Sequence, residues 1–279
     1  MPQYGLVMTR ETAVAHWERT DLVQTVLDAL VAAGKDLDRL GVDDLAATDQ
    51  FHGGGRPVTI RLAERAGLDR LESSAGSLKV LDVGGGLGGP ARVLAAHYGC
   101  VVTTVDLTPS YVEVARVLTE KVGLQDRVQH LIGNALDLPF AEDAFDVVWT
   151  QNTGMNIADK ETLLQGFHRV LRPGGTFAFQ EPMAGEGGPL HFPVMWADDV
   201  SSSFLRPPNE MRDLIARTGF RMRSWDDVSE NMATSGMPPP HAPQRIIMGD
   251  DRLRLIAAAG QKNLAEGRLV TIHGVFTKI

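Results

Sequence analysis

The stretch Asp82-Val-Gly-Gly-Gly-Leu-Gly-Gly89 restricts this chain more than any other. It follows the apolar pair Val80-Leu81 and precedes a helical pattern, Ala91-Arg-Val-Leu-Ala-Ala-His97. A glycine-rich turn between strand and helix lets a ligand lie against bare backbone, because no Cβ blocks the approach. Two spacings coexist. Gly84, Gly86 and Gly89 satisfy GxGxxG, the dinucleotide fingerprint, whereas Asp82, Gly84, Gly86 and Gly88 satisfy DxGxGxG. A dinucleotide would set its pyrophosphate here, where Asp82 would repel it. A tight turn with no chemical role is the remaining alternative.

The β-branched run Val101-Val-Thr-Thr-Val105 ends in Asp106. An acidic residue closing the second strand, roughly 20 residues beyond the glycines, commonly receives ribose hydroxyls. Both readings of the glycine turn therefore lead to an adenosine ligand. Asp106 could also serve only as a capping carboxylate ahead of a helix over Pro109–Lys121. Three further segments follow in order. Gly133-Asn-Ala-Leu-Asp-Leu-Pro-Phe140 comes first, then a strand Phe145–Trp149 with a polar exit Thr150-Gln-Asn152. Leu171-Arg-Pro-Gly-Gly175 then introduces the run Thr176–Glu181.

Together these segments resemble the class I S-adenosylmethionine (SAM) methyltransferases. Asp82 with Gly84, Gly86 and Gly88 is similar to their motif I, and the 133–140 and 171–175 segments are similar to GDAxxLPF and LxPGG of the ubiquinone/menaquinone methyltransferase-like group. The resemblance implies SAM as cofactor. Asp82 would meet the ammonium of its methionine, Asp106 and Leu107 its ribose and adenine side, and Asn134-Ala135 its adenine. The family's acid at position 134 is here an asparagine, able to accept through its carbonyl but uncharged.

Asp49-Gln-Phe-His52 with Gly53–Arg56, Gln151 through Met155–Lys160, and Gly188–Ala197 resemble the sarcosine/dimethylglycine N-methyltransferase-like branch. That resemblance implies a small-molecule acceptor, first an amine nitrogen. Carbon or oxygen methylation of an apolar isoprenoid, aromatic or other secondary metabolite is the alternative. A catalytically silent SAM-binding module is a third reading, and a nicotinamide dehydrogenase is disfavoured by Asp82 and the Leu-Pro-Phe segment.

A chain of 279 residues buries a substantial core. Strands and helices alternate from Val80 to Glu181, so the expected fold is an α/β, Rossmann-like sheet with helices on both faces. The resemblance adds seven mostly parallel strands with the last antiparallel. Residues 9 to 47 read as helices, with Leu22, Val26, Leu27, Leu30 and Val31 at helical spacing, Thr20 or Asp21 as cap and Gly34 as stop. The expected organisation is an N-terminal helical cover, 1–56, hinged at Gly53-Gly-Gly55, and a core, 57–279. Breaker-rich insertions at about 182–208 and 228–250 would shape the acceptor pocket. The cover could close the cleft or support a homo-oligomer.

A net charge of −8 with no basic cluster argues against nucleic acid and against an anionic membrane. No signal pattern and no run of about 18 apolar residues is evident, so the expected location is the cytoplasm. The single cysteine, Cys100, reads as buried packing, and no metal is expected.

Ligands of open α/β sheets sit beyond the carboxyl ends of the strands. That expectation places Gln151, Asn152 and Met155 near the transferring methyl, and Glu181, ending strand five, as a catalytic base or a binder of positive charge. His191 and Trp196 in the long loop, and His52 beside the glycines, are the further candidates for contact with the acceptor. Arg56 could bind a carboxylate or SAM itself. Met183, Met195, Met232 and Met237 would suit an adaptable apolar pocket, though core packing accounts for methionine equally.

Overall fold

The computed structural model describes residues 16–70, 76–232 and 237–279, with the side chains of 231 and 232 left out. Seven strands form one sheet in the order β3-β2-β1-β4-β5-β7-β6. They are β1 Lys79–Val83, β2 Val101–Asp106, β3 Val128–Ile132, β4 Phe145–Gln151, β5 Leu171–Ala184, β6 Phe220–Asp227 and β7 Leu269–Lys278. The first five pair in parallel, whereas β7 runs antiparallel between β5 and β6. The helices are α1 Leu22–Ala32, α2 Gly55–Ala66, α3 Gly89–Tyr98 and α4 Pro109–Lys121, then α5 Lys160–Val170, α6 Pro208–Arg217, α7 Pro243–Met248 and α8 Asp250–Ala265.

Side-chain alternation along the central strands builds two cores. Leu81, Val148, Phe177, Phe179 and Phe276 face α5 and α6. Their neighbours Val80, Val147, Trp149, Ala178 and Val275 face α2 and α3. Each strand is apolar on both sides, as a sheet covered on both faces requires. The switch in strand order falls between β1 and β4, so the carboxyl ends of these two strands open a crevice there.

A third core joins α1, α4, α7 and α8 through residues such as Leu30, Leu118, Ile247 and Ile256. The helical spacing in α1 places Leu22, Val26 and Leu30 inward, but Val31 is exposed, one step off the buried stripe. Asp21 stands at the N-cap in a left-handed conformation and makes no side-chain cap bond, so the expected cap is absent. Residues 9–15 of the expected helical segment lie outside the described residues. Cys100 is buried in the second core, where desolvation pushes its thiol up to about 12. Among the described residues no helix is long and apolar enough to cross a membrane.

Candidate active site

A cavity of about 1480 Å³ lies over the carboxyl ends of β1 and β4. Ligand pockets commonly span about 300–1,000 Å³, so this one has room for two ligands end to end. One end is the glycine turn. Gly84, Gly86 and Gly88 all have positive φ, at 76°, 53° and 79°. Their reasons for lacking a side chain differ. A Cβ on Gly84 would collide with Thr153, one on Gly88 with Arg92 and His130, and one on Gly89 with the Asp49 carbonyl. Only a Cβ on Gly86 would meet open space. Gly84 and Gly86 line the cavity, but Gly88 does not. The expectation that Gly88 touches a cofactor is therefore corrected: it is small so that α3 can start against Arg92 and His130.

Asp82 is 2% exposed, and its Oδ2 has no hydrogen-bond partner. Desolvation, reinforced by the neighbouring Asp106 carboxylate, pushes the Asp82 carboxyl up to about 8. A buried carboxylate oxygen without a partner is costly, and a cation entering the cavity would remove the cost. Asp106 is already engaged: Oδ2 accepts from the Gly86 N–H at 2.8 Å and Oδ1 from the Thr108 N–H at 2.9 Å. Each oxygen keeps a second lone pair for a hydroxyl. Leu107, Asn134 and Ala135 line the same end. The Asn134 Oδ1 accepts from the Leu136 N–H at 3.0 Å, which sets the turn after β3. The open face at Gly86, the orphaned carboxyl of Asp82, which an arriving cation would hold ionised, and the acceptors of Asp106 fit a ligand with an ammonium and a ribose, as SAM has.

The middle of the cavity is a buried polar network. Gln151 Oε1 accepts from Trp149 Nε1 at 3.0 Å and from Thr59 Oγ1 at 3.1 Å. His52 meets Thr59 Oγ1 and Gln50 Oε1 through Nε2 and the Gly53 carbonyl through Nδ1, at 2.9–3.0 Å. Burial lowers the His52 imidazole to about 4, so it is neutral at pH 7. Both ring nitrogens are committed, and His52 holds the 49–53 loop against the end of β4. Asn152 adopts a left-handed φ of 57° and accepts from Gln180 Nε2 at 2.8 Å. The loop is pinned from below by a buried ion pair, Asp49 Oδ2 with Arg92 Nη2 at 2.9 Å.

The far end is apolar. Trp17, Met155, Met195, Trp196, Met237 and Leu253 stand on its walls, and Trp196 donates from Nε1 to Ser203 Oγ at 2.9 Å. The one positively charged side chain on the wall among the described residues, Arg254, is largely exposed and bonds Asp251 at 2.6 Å.

Three expectations fail here. Glu181 does not line this cavity. Its Oε2 accepts from the N–H groups of Thr153 (3.3 Å) and Gly154 (3.1 Å), and its Oε1 from that of Met155 (2.5 Å). β5 turns alternate residues to opposite faces, so Gln180 points toward the 49–53 loop and Glu181 toward Lys160 and a separate small apolar void. Burial pushes Glu181 up to about 7, against the pull of Lys160 and the three N–H groups. It clamps the turn after β4 and does not face the acceptor end of the cavity. His191 lies outside the cavity, pairing with Glu266 at 2.9 Å on the surface of α8. Arg56 is held by Asp43 and His97, away from the ligand space. Of the four methionines, Met195 and Met237 line the cavity, Met183 is core, and the Met232 side chain lies outside the described residues.

Tyr111 escaped the sequence reading. It is 3% exposed, lines the cavity, and its hydroxyl has no partner. It stacks edge-on with Phe51, 5.9 Å between ring centroids. Only its helical spacing with Val114 and Leu118 is visible locally, and that pattern predicts ordinary core.

A family model described as "Methyltransferase domain" matches residues 81–179. Methyltransferase GfsG of Streptomyces halstedii is 34% identical over 240 residues, covering 82% of this chain and 79% of that protein. The glycine/sarcosine/dimethylglycine N-methyltransferase of Actinopolyspora halophila is 33% identical over 152 residues, 54% of this chain but only 27% of that longer protein. A solved geranyl diphosphate methyltransferase, in complex with GPP and sinefungin, superposes with a TM-score of 0.67 at 17% identity, covering 97% of this chain and 99% of the other.

Proposed function

The chain belongs to the class I SAM-dependent methyltransferases, and on that premise we propose that it transfers the SAM methyl group to a small, largely apolar acceptor held at the far end of the cavity. SAM supplies an already activated methyl, so the protein has to align the nucleophile with it and exclude water. Asp82 would hold the ammonium, Asp106 the ribose, and Gly86 the close approach of backbone. The His52–Thr59–Gln151 network would fix the wall beside the reacting centre without itself taking a proton.

The observation that carries the acceptor class is the lining of the far end by methionine, tryptophan and leucine, side chains that offer no charge to a zwitterionic acceptor. The carboxylates elsewhere on the wall are committed: Asp49 to Arg92, Asp159 to Thr162, Asp106 to two N–H groups, and Asp82 to the ammonium it would hold. Without a free base, the nucleophile must need little deprotonation. An uncharged amine nitrogen on an apolar framework satisfies this and keeps the branch resemblance. The second reading is a hydroxyl acidic enough to ionise alone, such as an electron-poor phenol, which suits the same walls.

An acceptor library assayed by S-adenosylhomocysteine (SAH) release tests the proposal. Apolar amines and acidic phenols are expected to turn over, and sarcosine and dimethylglycine are not. Turnover of the small zwitterions alone would refute the apolar acceptor.

A further inference from the structure

Helix α8 presents Leu253, Ala257, Gly260 and Leu264 to the cavity, at the spacing of a single helix face. Leu253 and Leu264 stand at the ends of this row and Ile256 and Gln261, which also line the cavity, at its edges, so Ala257 and Gly260 form a notch between them. Gly260 is the telling position. It sits inside a sixteen-residue helix with ordinary helical φ, and a Cβ built there meets nothing within 4 Å. A glycine in a helix interior is less stable than alanine there, because the unfolded chain loses more freedom. Positive φ or a packed neighbour enforces glycine at Gly84, Gly88 and Gly89, and Gly166 inside α5 packs at ordinary van der Waals distance against Leu138 and the Ala135 carbonyl. Neither reason operates at Gly260, where the open direction is ligand space.

The wall around this notch is built with care. Asn263, fully buried and one turn on, donates to the His191 carbonyl at 2.9 Å and accepts from the His191 N–H at 2.8 Å. This two-way bond fixes the acceptor-side loop, with Met195 and Trp196 a few residues on, against α8. Two orphaned buried polar groups, Asp82 Oδ2 and the Tyr111 hydroxyl, belong to the same cavity and mark it as ligand space.

We propose that Gly260 is the specificity-determining residue of the acceptor chamber: it keeps α8 notched so that an elongated apolar acceptor reaches the helix backbone beside Ala257. This inference rests on the apolar-acceptor reading above. It predicts the length of the acceptor as well as its polarity. A compact acceptor would leave the notch unfilled, and the cost of a helical glycine would have no return.

The test uses the full chain with SAH bound and a series of 4-alkylphenols, from methyl to octyl, as calorimetric probes. Wild type is expected to bind the longer members more tightly. Gly260→Phe is expected to weaken the octyl member at least tenfold and the methyl member less than twofold, with the Kd for SAH unchanged. Gly260→Ala should raise Tm by about 1–3 °C, since the fold does not require the glycine. Leu255→Phe, on the exposed face of α8, is the control and should alter none of these. Equal octylphenol binding by Gly260→Phe, or a lowered Tm in Gly260→Ala, would overturn the role of Gly260. Failure of wild type to bind any alkylphenol would overturn the apolar-acceptor reading itself, and this inference with it.

Discussion

Replacing Asp82 with asparagine should abolish a pH dependence that the wild-type cofactor site is expected to show. Asp82 is 2% exposed and lies beside Asp106, so its carboxyl stands at about 8 instead of the ordinary 3.8. An ammonium ligand needs the ionised form. At pH 6, two units below that value, about one molecule in a hundred is ionised, and ionising the rest costs about 2.7 kcal/mol. The Kd for SAH should therefore tighten by about tenfold per pH unit between pH 5.5 and 7.5. Binding in that window should release nearly one proton, measured by calorimetry in buffers of different ionisation enthalpy.

The sign for stability follows from the same shift. The folded, ligand-free protein holds this proton more tightly than the unfolded chain does. Its contribution is therefore complete below about pH 4 and is lost as pH rises toward 8, by at most about 4 kcal/mol at pH 7. Asp82→Asn should flatten both profiles, bind SAH weakly at every pH, and melt above ligand-free wild type at pH 8. Asp106 is also raised by burial, but its oxygens are held by two N–H groups, so the single Asp82 change separates the two. A wild-type Kd that stays flat from pH 5.5 to 7.5, or an Asp82→Asn protein that keeps the slope, would refute the assignment.

Gly84→Ala puts a Cβ against Thr153 at a left-handed φ, and should cost about 2–4 kcal/mol in chemical denaturation; a loss below 0.5 kcal/mol would show that the turn yields. Glu181→Gln should leave the Kd for SAH within twofold and turnover within about tenfold, because the carboxylate braces backbone N–H groups. A 100-fold or greater loss of turnover at unchanged Tm would restore it as a base. Asp49→Asn strands the fully buried Arg92 guanidinium and should cost about 3–5 kcal/mol. The double change Asp49→Leu with Arg92→Met should recover most of that stability, as read by urea unfolding.

Much of the cofactor half was legible because its signals are local. A glycine turn between apolar runs, an acid at a strand end and Pro-Gly punctuation each depend on neighbours within a few residues, and the helix expected over Pro109–Lys121 is the helix found. Alternation gave the parallel sheet, since strands buried on both faces read as continuous apolar runs. Local pattern failed wherever side-chain direction at a strand end decided the outcome. Gln180 and Glu181 are adjacent, yet β5 sends one toward the 49–53 loop and the other into backbone N–H groups on the opposite face. His191 and Trp196 share one loop, and only its docking on Asn263 turns the tryptophan inward and the histidine out. The glycines of the 84–89 turn look equivalent in sequence, but packing partners as distant as Asp49, His130 and Thr153 separate the one facing ligand from those facing protein. What the sequence determined by itself was the sheet, its helices and the kind of ligand their crevice admits, because periodicity and turn chemistry act over short spans. The acceptor chamber was decided only by tertiary contact, because its walls come from segments that meet nowhere along the chain.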